Sequence, residues 1–223
     1  MDTVNIEKES PNNLGTMILV HPTYFSPIAQ YAAIYGGKKI VFEFEDNYQK
    51  QTYRNRCYIG GANGKQLLNI PVKHNKTSEK TKTKDIEIDY DTSIWYKKHL
   101  KSLQSAYRGS PFYEYYEHDI IDVFKKKHKF LIDLNIDIHH FVMEVLQQES
   151  SFIKTKQFNL NSPYKDLRQL CSVKKENAYN FPKYTQMFDD KHGFQQNLSI
   201  LDLLFMEGPT SYKYLQFITK TTP

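Results

Sequence analysis

Apolar and polar positions follow two different periods along this chain, and the changeover falls near Thr92. Residues 17–20, MILV, form a short unbroken apolar run that predicts a buried strand. Ser26 and Pro27 then give a hydroxyl cap followed by proline at the first helical position. Ile28, Tyr31, Ala32 and Tyr35 recur at helical spacing, and Gly36-Gly37 ends the helix. Residues 40–44 return to a strand pattern. Strand, helix and strand in this order predict parallel pairing through a right-handed crossover. Residues 51–59 read as extended, 60–64 (GGANG) as a turn, and 67–72 as strand again, a hairpin with a long loop. Pro71 marks an edge or an exit. After a charged loop over 73–85, Ile86, Ile88 and Tyr90 alternate and predict one more strand.

From Thr92 onward the period becomes helical. Trp95, His99, Leu103 and Ala106 lie along one side of a helix over 94–107, which Gly109-Ser110-Pro111 breaks. Residues 112–124 repeat the pattern, and 130–148 carry the longest stripe, Leu134, Ile138, Phe141, Val142 and Val145. Residues 152–160 read as strand and 163–172 as a short helix. Residues 179–193 mix aromatics with charge and read either as a functional loop or as a packed irregular segment. Ser199 with Asp202 three residues on is a capping box, which accounts for Asp202 and opens a helix over 200–206. Gly208-Pro209 stops it, and 212–218 form a last short helix. The expected fold is α/β in a single domain. A three-layer-like mixed sheet occupies the N-terminal half, and the C-terminal half is mainly helical. That domain spans 16–223, and a polar flexible arm, 1–15, precedes it.

Composition adds limits. With 223 residues, 39% apolar and 14% aromatic, the chain has material for a substantial core. A net charge of +5 sets no strong expectation of nucleic acid, and the lysine runs within 73–84 and 125–129 read as solvated surface. Two cysteines, Cys57 and Cys171, argue against a disulfide scaffold. Residues 1–15 lack the apolar centre of a signal peptide, and no apolar run is long enough to cross a bilayer. The expectation is a cytoplasmic, reduced protein with no nucleic acid and no transmembrane segment. Oligomeric state stays open.

Three stretches carry candidate chemistry. The first is His21-Pro22-Thr23-Tyr24 with Ser26, between a buried strand and a helix start. Open α/β sheets place ligands there, and helix N-termini offer free N–H groups to anions. The second is Glu43 to Asn47, where Glu45 and Asp46 leave the second strand beside the His21 loop. Paired carboxylates serve as a base or hold a divalent ion, so a divalent metal is one option here. The third is Arg54-Asn55-Arg56, whose arginines share a face if the segment is extended and then grip phosphate or carboxylate. Trp95 and His99, four apart, share a helix face, and the indole can stack on a sugar or base. There is no GxGxxG after the first strand, no GxxxxGK[ST], no zinc-type cysteine spacing and no GxSxG.

These residues resemble the WbqC-like family. The pieces that carry the likeness are HPTYFSP (21–27), FEDNYQKQTYRNRCYI (44–59), LLNIPV (67–72), WYKKHLKSLQSAYRGSPFYEYY (95–116) and YTQMFDDKHGFQQNLSILDLLFMEGP (184–209). In that family the first motif usually begins with glutamine. His21 stands in its place, which favours a binding role over an essential imidazole base. Asn55, Arg56, Trp95, His99 and Tyr107 match the family pattern. The resemblance implies work on nucleotide-linked or lipid-linked sugars in surface polysaccharide and lipopolysaccharide biosynthesis, and so a small anionic or sugar-containing substrate; joined to the candidate residues, it gives the expectation of a transferase on an activated sugar or similar phosphorylated substrate. The expected catalytic residues are His99, which matches the family pattern, with Glu45 and Asp46 of the acidic turn. Those expected to bind substrate are His21, Tyr24, Arg54, Asn55, Arg56 and Trp95. A non-catalytic binding or assembly protein of the same pathway is the alternative.

Overall fold

The computed structural model describes residues 17–36, 39–73, 80–174 and 179–221. The expected arm over 1–15 and part of the charged loop after Val72 lie outside the described residues.

The first strand, β1 (Met17–Val20), is buried at every position. Ile18 and Val20 face the main core, while Met17 and Leu19 face a smaller cluster with Val41, Ile153 and Tyr164. An unbroken apolar run is what burial on both faces demands of a parallel strand. Helix α1 (Ile28–Gly36) follows, then β2 (Lys39–Phe42), which pairs parallel to β1 as expected. The hairpin of β3 (Arg56–Gly61) and β4 (Gly64–Asn69) forms its own antiparallel two-stranded sheet. Its turn is only Ala62-Asn63, shorter than the long loop expected, and Gly64 takes a φ of 96° to close it.

Helices α2 (Trp95–Tyr107), α3 (Tyr113–Lys125) and α4 (Leu131–Val145) supply the helical mass. The chain then returns to the sheet. Strand β5 (Phe152–Lys154) adds outside β2, and β6 (Lys165–Asp166) adds on the far side of β1, both in parallel. The order is β5-β2-β1-β6. The fold is therefore α/β in one domain, with parallel and antiparallel pairing early and helices later, and two short late strands complete the first sheet. Helices α5 (Ile200–Glu207) and α6 (Ser211–Thr221) close the chain, and α6 packs on α1.

Several local expectations change. Residues 51–55 turn rather than extend, and the strand begins only at Arg56. Residues 86–90 make isolated bridges, Ile88 to Val72 and Glu87 to Phe130, instead of a strand. The segment 163–172 holds β6 and a 3-10 turn at Arg168–Cys171. Ser199 does cap α5, accepting from the Leu201 N–H at 3.3 Å. Asp202 does not reach back. Its carboxylate accepts from Tyr107, Tyr184 and Gln186.

Candidate functional site

All four strands of the parallel sheet point the same way, so their carboxyl ends share one edge. His21 follows β1, Glu43 follows β2, Thr155 follows β5 and Leu167-Arg168 follow β6. The ladder continues into this edge through Glu43 N–H to Val20 O (2.9 Å), Thr155 N–H to Phe42 O (3.0 Å) and Leu167 N–H to Leu19 O (2.9 Å). The chain leaves β1 toward β2 on one side and reaches β6 on the other. That reversal makes the gap between β1 and β6 a topological switch point, where open α/β sheets form their binding crevice.

Glu43 is 1% exposed and fully engaged. It accepts from the Thr155 hydroxyl (2.7 Å), the Glu45 N–H (2.9 Å) and Arg168 Nη1 (3.0 Å). Arg168 spends its remaining donors on the Asp166 carboxylate and on the Asn159 and Leu160 carbonyls.

Beside this lies a second group. Arg54 is 1% exposed. Its Nη2 donates to Asp46 Oδ2 at 2.6 Å and to His21 Nε2 at 2.9 Å, and its Nη1 donates to Thr52 Oγ1 at 3.2 Å. A guanidinium only donates, so Nε2 of His21 is the acceptor and the proton sits on Nδ1. Burial, then the positive charges of Arg54 and Arg168, hold the His21 pKa well below its usual range. The ring is neutral. Burial raises the Asp46 pKa against the pull of Arg54. Thr83 sits beside Asp46 and draws its pKa down, although its hydroxyl makes no well-formed hydrogen bond. Four buried polar atoms here have no partner among the described residues: His21 Nδ1, Asp46 Oδ1, Arg54 Nε and Thr83 Oγ1. Orphaned polar atoms are costly in a core, and their concentration in one cluster marks it out.

The loops are pinned from below. Asn135 of α4 donates to the carbonyls of Arg54 (2.9 Å) and Pro22 (3.2 Å). Tyr24 N–H bonds Tyr53 O, and Tyr53 N–H bonds Cys171 O. The Cys171 thiol lies next to Arg54 and Asp46, and burial pushes its pKa up.

The other expected residues fall elsewhere. Glu45 faces outward and pairs with Lys82 and Lys84, which hold its carboxyl below the usual range. Glu45 and Asp46 thus point to different partners and do not fit a shared divalent ion. Among the described residues no three metal-type side chains converge. Arg54 and Arg56 do not share a face, because the turn at 51–55 rotates one inward. Arg56 is half-buried, its Nε has no partner, and among the described residues no acid pairs with it. Both guanidiniums act on the Tyr48 phenol, whose pKa burial nevertheless pushes up to about 12. Asn55 secures the hairpin through Asn69 Oδ1 and Ile70 O.

His99 stands apart from this group. Its Nδ1 accepts from the Tyr24 hydroxyl at 2.8 Å, and its other nitrogen bonds the Asn69 carbonyl. Burial lowers its pKa to about 4. Trp95 packs edge-on against it and against Phe124, at 3% exposure, so the indole face is enclosed. The start of α1 is also occupied. Ile28 N–H bonds Leu198 O, and Ala29 N–H bonds Asn197 Oδ1 at 2.9 Å. The free N–H groups expected for an anion are taken by a segment that arrives late in the chain. Sequence reading missed Thr155, Arg168 and Cys171; Thr155 and Arg168 come just after strands of two or three residues, and Cys171 ends the 3-10 turn after the second of them.

The profile of the WbqC-like protein family matches residues 22–181. The chain belongs to the WbqC-like protein family. The matched region holds Asp46, Arg54, Arg56, Glu43 and Arg168, and stops short of the stretch 184–209. WbqC-like membership links the chain to polysaccharide biosynthesis. No curated protein and no solved structure matches it. Among the described residues, no helix is long and apolar enough to cross a membrane.

Proposed function

We propose that this WbqC-like chain is a transferase of surface polysaccharide biosynthesis that takes an activated, phosphorylated or nucleotide-linked sugar at the carboxyl edge of its parallel sheet. The observation that carries the reading is the cluster of orphaned polar atoms on His21, Asp46, Arg54 and Thr83 at the switch point. Asp46, with its raised pKa, moves the proton. Arg56, half-buried and with no acid partner among the described residues, binds the anionic group. Arg54 and His21 orient Asp46. Glu45 holds the 80–85 segment over the site through its two lysines, and His99 positions Tyr24.

A thermal-shift screen against nucleotide sugars, nucleotides, sugar phosphates and divalent ions tests this. A hit whose affinity falls about tenfold or more in Arg56→Ala supports it. Unchanged affinity in that folded variant removes Arg56 from the site. The alternative, a binding or assembly protein of the same pathway, is favoured by closure: His21 is 4% exposed, Asp46 6% and Arg54 1%. Ligand binding with no turnover in any donor–acceptor pair decides for it.

A further inference from the structure

The switch-point cluster is closed, so a ligand that binds there needs a way in. On one side its cover is the segment 81–84. Thr83 N–H bonds Asp46 O and Tyr48 N–H bonds Thr81 O, both at 2.9 Å, around an isolated antiparallel bridge between Asn47 and Lys82. Outside the bridge, Lys84 Nζ donates to Glu45 Oε1 at 2.6 Å, and Lys82 Nζ donates to Glu45 Oε2.

This cover is lightly held. Of its four residues only Thr83 is buried, and a threonine brings little apolar surface. Just beyond it the chain is fixed. Ile86 and Ile88 sit in the core, Leu131 N–H bonds Ile86 O, and Ile88 N–H bonds Lys129 O. Segments that bury little apolar surface open locally at far lower cost than a core does. The lysine pairs to Glu45 lie toward solvent, where salt screens them. Two polar atoms along the inner side, Thr83 Oγ1 and Asp46 Oδ1, have no partner among the described residues. Water satisfies both once the segment lifts, which offsets part of the cost of the bonds broken.

We propose that 81–84 is a lid on the switch-point cluster, latched by Glu45 and hinged before Ile86, and that it lifts to admit the ligand. This rests on the reading of that cluster as a binding site, but its test needs no ligand.

The first measurement is amide exchange of the whole chain, resolved by residue and corrected for intrinsic rates. Tyr48 and Thr83 N–H should exchange about tenfold or more faster than Tyr53 and Ile88 N–H, which bond carbonyls of the fixed frame. Glu45→Gln should speed Tyr48 and Thr83 by about threefold more and leave Tyr53 and Ile88 unchanged. The second measurement uses a staple. Asn47 and Lys82 form a non-hydrogen-bonded pair, with Cα atoms about 4.5 Å apart, so Asn47→Cys with Lys82→Cys can close a disulfide across the lid. The staple should slow both amides. It should also slow alkylation of Cys171 by iodoacetamide, because that thiol lies beside Arg54 and Asp46. Cys57, buried in β3, is the control. Where the disulfide does not form, Glu45→Gln decides by the same two readouts, with faster alkylation of Cys171 expected. Tyr48 and Thr83 amides as slow as those of Tyr53 and Ile88 overturn the lid. Alkylation of Cys171 that the staple leaves unchanged overturns it as well, since the segment then does not guard the cluster. Either result removes the lid alone, because the ligand screen tests the site separately.

Discussion

Arg54 carries a full charge into the interior, and the residues around it explain how. Asp46 neutralises it, and His21 and Thr52 take its remaining contacts. Removing one member of such a pair strands the other. Arg54→Met should destabilise the chain by about 3 kcal/mol or more, and Arg54→Met with Asp46→Leu should recover part of that, since an apolar pair leaves no stranded charge. Urea unfolding of the two variants measures the difference. The buried imidazoles make a second prediction. Unfolded, His99 and His139 titrate near 6.5; folded, burial lowers them to about 4 and about 3. The unfolded chain thus binds more protons below 6.5, so stability is full above that value and falls as the pH drops through it. Each ring should account for on the order of 2 kcal/mol between about pH 7.5 and about pH 5. His139 sits among Tyr31, Phe42 and Phe152 with Nε2 unpartnered. His139→Phe should therefore flatten the acid limb of stability against pH, seen as a smaller loss of urea midpoint.

At the scale of elements, α1 depends on a residue far from it in sequence. Asn197, at a φ of 52°, caps the Ala29 N–H where Ser26 and Pro27 suggested a local cap. Ser26 instead bonds Thr23 and Gln30. Asn197→Ala loses an acceptor and adds strain, and should cost about 1–2 kcal/mol, while Asn197→Asp keeps the acceptor and should cost less. Chemical denaturation of both separates cap from conformation. Gly208, which ends α5, is tighter still. Its φ is 56°, and a Cβ there would meet the Phe112 ring at 2.5 Å. Gly208→Ala should cost about 2 kcal/mol or more, read as a lower unfolding midpoint. That glycine was legible as a stop signal because Gly-Pro is a local motif. The cap from Asn197 was not, because no local rule links residues 168 apart.

For the whole molecule, the closing helix is structural. Leu215 and Ile218 are fully buried, and Thr219 donates to the Ala32 carbonyl. Deleting 211–223 should strip the cover from α1 and abolish cooperative unfolding, which near-UV circular dichroism on heating reports. Periodicity by itself determined most of the architecture. It placed β1, α1, β2, the hairpin, the helices and the buried stripes, because a buried face needs apolar side chains at the spacing of its own element. The order of the elements also set Glu45 and Asp46 beside the His21 loop, since they leave adjacent strand ends. Tertiary structure alone decided which charges went inward. Glu45 and Asp46 are adjacent in sequence yet face lysines on one side and Arg54 on the other, and Arg54 and Arg56 part because the chain turns before β3. Burial, pairing and pKa depend on what the rest of the chain brings to a position, and the partners here (Asn135, Arg168, Cys171 and Asn197) arrive from far along it.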